Sequence, residues 1–345
     1  ISAGSYQTKV VPVINNSEQV GLAMENVAIN VSEYDKTGYA HFKAKENPGA
    51  YKEDGTLKDN AVVVYVNETN KNTVETTING KTYNGLGNLL ADAANINVPL
   101  DIVFTSQIAS DQFKSLNKFS LYNEREGKYE ILDGAITKLS TKGNTTDKRI
   151  DTNIDKNVVY REDGKGASSS YQNMMYVKNA KNITIEGVFG AGLYQWGLDF
   201  AECNSIEVRN LSFKDYPEDA CCFESNAPDG TDEATYVQNY GNYFFHHNEL
   251  YTGKANWVFE SDKAEGDGGF DVKRCHSVTG SYNKFVGLHK SGLIGSSDSS
   301  ISYNVTLHHN FYFGSSSRLP LGRQANIHLY NNYYFGGLRV MDFRN

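Results

Sequence analysis

The chain of 345 residues carries 41 acidic against 33 basic side chains, and the formal charge of −8 excludes nucleic acid as a partner, because phosphate binding needs a net basic face. Hydrophobic residues make up 39%, and no apolar run reaches the roughly 18 residues of a membrane span, so no membrane segment is expected. Cys203, Cys221, Cys222 and Cys275 lack the Cys-x-x-Cys spacing of a zinc site and read as small buried residues, which leaves the redox compartment open.

No basic segment followed by an apolar stretch opens the chain at Ile1, so any signal peptide is expected to be already removed. Residues 1–55 read as an N-terminal extension without recognisable chemistry, and residues 56–345 as one domain. The run Ala61-Val-Val-Val-Tyr-Val66 predicts a buried strand from its β-branched density. Leu86, Leu89, Leu90, Ala93 and Ala94 stand at helical spacing within 83–96 and predict one amphipathic helix. From Ser120 to Ser170 the chain is rich in Lys, Asp, Asn and Gly and reads as long loops with short strands such as Tyr129–Ile131.

From Lys181 onward the sequence repeats. Alternating apolar residues end in Asn, once Gly, followed by a bulky residue; the turn positions are Gly187, Asn210, Asn248, Asn283, Asn310 and Asn332. A shortest spacing of about 22 residues is too short for a helix-pair solenoid and predicts a parallel β-helix. Gly and Asn sharing one position points to a left-handed backbone there, and Asn side chains on successive coils can bond one another. The helix in 83–96 would cap the open end, whereas no capping element follows the last repeat at the C-terminal end.

The two longest steps place insertions over 214–275, and insertions in a solenoid gather on one face. Asp215, Glu218, Asp219 and Glu224 fall in the first, with Asp262, Glu265, Asp267 and Asp271 in the second. Asp219, Asp267 and Asp271 could reach one cation, and hard oxygen donors suggest Ca²⁺. Basic residues follow: Lys273, Arg274, Lys290, Arg318 and Arg323, the last two predicting a turn around Pro320 that projects both guanidinium groups together to recognise carboxylates. The paired histidines His246-His247 and His308-His309 recur just before the turn Asn, a pattern that marks stacked structural residues.

Asp267-Gly-Gly-Phe-Asp271-Val-Lys273, Leu293-Ile-Gly295-Ser-Ser-Asp298, Leu307-His-His-Asn310-Phe-Tyr312, Arg318-Leu-Pro-Leu-Gly-Arg323 and Tyr330-Asn-Asn-Tyr-Tyr334, in this order, resemble the pectate lyase superfamily. The resemblance covers about 180–335. It implies an all-β, right-handed single-stranded parallel β-helix with an N-terminal capping helix. It also implies Ca²⁺ held by Asp219, Asp267 and Asp271, with Arg318 as catalytic base and Lys273, Lys290 and Arg323 as substrate contacts. Some relatives carry Glu at the position of Asp267, another oxygen donor.

The implied reaction is β-elimination on polygalacturonate, yielding 4,5-unsaturated oligogalacturonides, by a secreted monomeric enzyme. An arginine's ordinary pKa lies above about 12, so an arginine base implies an alkaline optimum. Three rivals remain: a pectin lyase on methylated polymer, a β-helix hydrolase with paired carboxylates, and a non-catalytic polysaccharide-binding β-helix.

Overall fold

The computed structural model describes residues 34–42, 46–109, 174–188, 190–194, 196–216, 219–228, 230–251, 268–298, 300–337 and 340–344, and the backbone of short strands between 9 and 25 and between 118 and 162. Three parallel sheets of seven, eight and seven strands wind around one apolar core, so the chain is a parallel β-helix. A typical coil runs from Gly197–Ala201 in the first sheet to Asn204–Arg209 in the second and Ser212–Lys214 in the third. The next coil repeats the path directly above it, and the crossovers take the right-handed sense that parallel strands favour.

Side chains alternate in and out along each strand, so residues in register stack from coil to coil. The third sheet turns Ile108, Leu193, Phe213, Leu250, Phe285 and Tyr312 inward. Inside, Phe245 lies flat on Phe270, ring centres 4.5 Å apart, and Phe285 on Tyr312 at 4.6 Å. Gly280 stands where a Cβ would come within 2.9 Å of the Phe270 ring, so the aromatic stack requires glycine beside it.

The asparagine ladder exists, with one change of register. Asn248 Nδ2 donates to Asn283 Oδ1 at 3.2 Å, Asn283 to Asn310 at 3.0 Å, and Asn310 to Asn332 at 3.0 Å. The left-handed residue is the one before each ladder Asn: His247, Tyr282, His309 and Asn331 all have φ between 53° and 55°. Asn210 aligns with His247, so Leu211 takes the ladder position in that coil and Asn210 is not part of the ladder. A side chain at φ near +55° costs roughly 1–2 kcal/mol. Stacking of His247 on Tyr282 at 5.0 Å and of Tyr282 on His309 at 4.7 Å offsets it.

Other elements depart from expectation. The helix is shorter, Leu86–Ala91 followed by a 3₁₀ turn Ala93–Asn95, because Lys81–Asn84 pairs as a hairpin with Glu75–Ile78. Leu86, Leu89, Leu90 and Ala93 still join the core, while Ala94 is exposed. Val62–Val66 is an edge strand with Tyr65 exposed rather than a fully buried one. Between 118 and 162, where long loops were expected, four strands form an antiparallel sheet.

Residues 34–42 and 46–59 lie across the outer face of the second sheet. Ala40 N–H donates to Thr279 Oγ1 at 2.9 Å, Ala50 N–H to Thr184 Oγ1 at 2.8 Å, and Tyr51 OH to Asp101 Oδ2 at 2.7 Å. They cover a charged row in which Arg209 bonds Glu186 at 2.6 Å and Glu207 at 3.1 Å. Burial opposes the Glu207 charge most strongly, yet the Arg209 guanidinium, His246 and the Thr184 hydroxyl together outweigh it and hold that carboxyl down at about 2.

Replacing Asn283 with Ala should cost about 2–4 kcal/mol, because it orphans the buried Asn248 amide groups that bond to its side chain. Denaturant unfolding reads this; a change below about 0.5 kcal/mol would show that the ladder is not structural.

Candidate functional site

Leu198, Phe200, Cys221, Phe223, Phe270 and Val272 of the first sheet belong to the core. Alternation therefore turns Asp199, Cys222 and Asp271 outward in one row, and Ala201, Glu224 and Lys273 in the next. None of the four cysteines forms a disulfide; Cys203, Cys221 and Cys275 sit in the core, as small buried residues should.

Asp219 precedes the strand Cys221–Glu224. Its Oδ1 accepts the Gly268 N–H at 2.8 Å, while Asp271 Oδ1 accepts the Leu293 N–H at 3.0 Å. A Cβ built on Gly268 would lie 2.5 Å from both of these oxygens, so the two buried carboxylates converge over a spot that only glycine leaves open. Asp267 lies outside the described residues. The Lys273 ammonium reaches into the same spot, 3.2 Å from Asp219 Oδ2 and 3.6 Å from Asp271 Oδ2. Burial works against its charge, but the Asp219 and Asp271 carboxylates, helped by Cys222 and Glu224, outweigh it and hold the amine well above the usual lysine range.

Lys290 pairs with Gly268 on one side and with Ser317 on the other, which sets it beside the two aspartates. Its position is buried. The register then slips: Lys290 stands opposite Ser317, but Leu293 stands opposite Leu321, so the later strand holds one extra residue. Arg318, at φ 57°, occupies this bulge, with its carbonyl accepting the Gly292 N–H at 2.8 Å. Bulges bend a strand and re-aim a side chain, and they recur beside active sites.

Arg318 and Arg323 do not share a turn. Leu319–Arg323 is a strand and carries the two residues to its opposite ends, about 16 Å apart at 3.3 Å per residue. Pro320 is accommodated in the strand because the bulge has already interrupted pairing there. Arg323 donates from Nη1 to the Ser296 carbonyl at 3.3 Å, and its Nε lies 3.9 Å from Asp298 Oδ1.

The histidine pairs are structural. His246 is fully buried against Phe244, ring centres 3.7 Å apart, and burial pushes its pKa down to about 3. The His308 and His309 Nδ1 atoms face each other at 2.8 Å, and Thr37 O accepts from His308 Nε2 at 3.0 Å. Sequence reasoning missed Asp199. Its carboxylate, the Cys222 thiol and the Glu224 carboxylate offer ligand atoms within 4.8 Å of one another. The alternation in Gly197-Leu-Asp-Phe-Ala201, aligned with 221–224, was the available signal.

A family model described as pectate lyase matches residues 138–343. Pectate lyase 1 of Pectobacterium atrosepticum is 34% identical over 150 residues, which span 43% of this chain and 37% of that protein. Pectate lyase B of Dickeya chrysanthemi is 36% identical over 154 residues, 43% of this chain and 38% of that protein. The match thus spans little more than a third of the length of these relatives. Among solved structures, pectate lyase C from Erwinia chrysanthemi at pH 9.5 with Ca²⁺ superposes over 88% of this chain and 67% of its own, with TM-score 0.50 and 20% identity. A pectate lyase from Bacillus sp. N165 in complex with trigalacturonate covers 87% and 68%, with TM-score 0.51 and 21% identity. At these identities the structures support the right-handed parallel β-helix fold.

Gly268→Ala should force the Asp219 and Asp271 carboxylates apart while leaving the core untouched. Calorimetric titration with a divalent cation is expected to show affinity at least about tenfold weaker, a loss of about 1.4 kcal/mol; unchanged affinity would mean the two carboxylates do not act together.

Proposed function

Since the chain belongs to the pectate lyase family, whose model covers well over half of it, we propose that it cleaves α-1,4-linked polygalacturonate by calcium-dependent β-elimination. The observation that carries this reading is the bulge that sets Arg318 next to Lys290, one strand from the convergent Asp219 and Asp271. Two buried carboxylates and hard oxygen donors suit Ca²⁺, and Asp219, Asp271 and Asp267 would hold it. When bound, the ion supplies positive charge that neutralises a uronate carboxylate and acidifies the neighbouring C5–H.

The chain's own residues do the rest. Lys290 neutralises the C6 carboxylate and stabilises the negative charge that grows on it as the proton leaves. Arg318, in its neutral form, takes the C5 proton; that electron pair forms the C4–C5 double bond, the C4–O bond breaks, and the departing oxygen takes a proton from solvent water. Arg323, about 16 Å further along the strand, binds the carboxylate of a different sugar unit. Lys273, engaged with both aspartates, keeps them together and meets substrate from the same row. Asp199, Asp219 and Asp271 disfavour a methylated, uncharged substrate, because a metal-free cleft gains nothing from clustered carboxylates. No described helix is long and apolar enough to cross a membrane. A polymeric plant substrate places a secreted monomer where it can work.

On polygalacturonate, ultraviolet absorbance of the conjugated product should rise with Ca²⁺, best at alkaline pH, and stop with EGTA. Arg318→Ala should lower kcat at least about 10³-fold while polymer binding persists. Full activity in EGTA, or a rate peak near pH 5, contradicts the mechanism.

A further inference from the structure

The outer face of the third sheet carries aromatic rings that the proposed chemistry does not use. Phe311–Phe313 and Tyr333–Phe335 pair in register, and with Tyr312 in the core, alternation turns Phe311, Phe313, Tyr333 and Phe335 outward. Phe311 stacks on Tyr333 at 5.5 Å with 1° between planes, and Phe313 on Phe335 at 5.4 Å with 6°. Phe311 and Phe313 lie 6.1 Å apart and within 11° of parallel, so all four rings share nearly one orientation. Phe313, Tyr333 and Phe335 remain 44%, 57% and 54% exposed.

Tyr333 and Phe335 stand on the outermost strand of their sheet and owe part of their exposure to it. Phe313 already has a strand on either side and is still open. Contiguous exposed aromatic surface on a soluble fold marks a binding face.

Its neighbours say what binds. The same outward rows continue into Glu249 and Lys284, and into Lys214, Tyr251 and Val286. Lys284 Nζ lies 5.7 Å from the centre of the Tyr251 ring and 3.6 Å from Glu249 Oε1, so one cation sits at the border of the patch. The face also adjoins the cleft, since only residues 314–317 separate Phe313 from Arg318. A pyranose ring presents a face of C–H groups, and the negative face of an aromatic quadrupole attracts them. For a protein with net charge −8, stacking adds affinity for a polyanion without demanding further positive charge.

We infer that Phe311, Phe313, Tyr333 and Phe335 form a second carbohydrate-binding surface, which holds sugar rings of a long uronate polymer beyond the catalytic cleft. The inference rests on the proposed substrate. Binding at two places on one chain raises effective concentration, so the surface acts only on polymers long enough to reach both.

The test is the double variant Phe313→Ala/Phe335→Ala, which removes exposed rings and leaves the core intact; Phe313→Tyr/Phe335→Tyr keeps the stacking faces. Gel retardation by polygalacturonate in EGTA reads binding without turnover, and KM is compared between polymer and trigalacturonate. The expected result is weaker retardation, a polymer KM about fivefold higher at unchanged kcat, unchanged trimer kinetics, and recovery in the tyrosine variant. Unchanged retardation and KM, or equal losses on trimer and polymer, would overturn the inference. So would concentration-dependent self-association of the parent that vanishes in the double variant with polymer binding intact, since the face would then pair copies of the chain. Failure of the proposed reaction reads separately, as absence of ultraviolet product from the parent; retardation lost only in the alanine variant would still support the surface.

Discussion

In-register stacking of parallel strands is the constraint on which the rest of this molecule depends. Neighbouring strands lie about 4.8 Å apart, so whatever occupies one position in a coil meets its counterpart in the next almost at contact distance. Inside, that makes flat aromatic stacks such as Phe245 on Phe270. At the corner it lines up Asn248, Asn283, Asn310 and Asn332 so that each side chain completes the hydrogen bonds of its neighbour. Outside, it forces charges into rows. Asp199 and Asp271 flank Cys222 there, and the Lys273 ammonium, 3.2 Å from Asp219 and 3.6 Å from Asp271, offsets part of that negative charge.

The repeat after Lys181 was legible because apolar alternation and a recurrent Asn survive in the sequence as periodic signals. The earlier coils were not, because Leu100–Phe104 and Lys181–Gly187 are adjacent strands separated by a long excursion that hides the period. Gly187 and Asn210 looked like members of the Asn column. They align one residue earlier, where Asn210 is left-handed and Gly187 is not, and sequence spacing cannot separate a residue chosen for its backbone from one chosen for its amide. Residues 34–42 and 46–59 looked featureless because their hydrogen bonds go to Thr184, Thr279 and Asp101, partners remote in sequence.

For the site, a motif spelled out which residues to examine but not their arrangement. The convergence of Asp219 and Asp271 follows from a glycine between them that any strand pattern would permit, and its necessity appears only when a Cβ at 268 meets two oxygens. Asp199 escaped notice because it belongs to the row only by lateral register, two strands from Asp271. The turn expected around Pro320 came from the usual habit of proline. A bulge satisfies the same lack of an N–H while letting the strand continue, so Arg318 and Arg323 end far apart.

That separation bears on how an acidic protein would hold the proposed acidic polymer. Two guanidinium groups side by side would recognise one carboxylate and repel each other; set about 16 Å apart on one strand, with Lys290 beside the first, they present positive charge at intervals along the sheet. The proposed polyanion would then meet cations at several sugar units while the net charge stays negative. The bulge at Arg318 removes one residue from regular pairing, so its side chain need not follow the alternation that keeps Arg323 in its row. A regular strand would assign both arginines by parity alone, whereas the extra residue frees Arg318 from the row that Arg323 keeps.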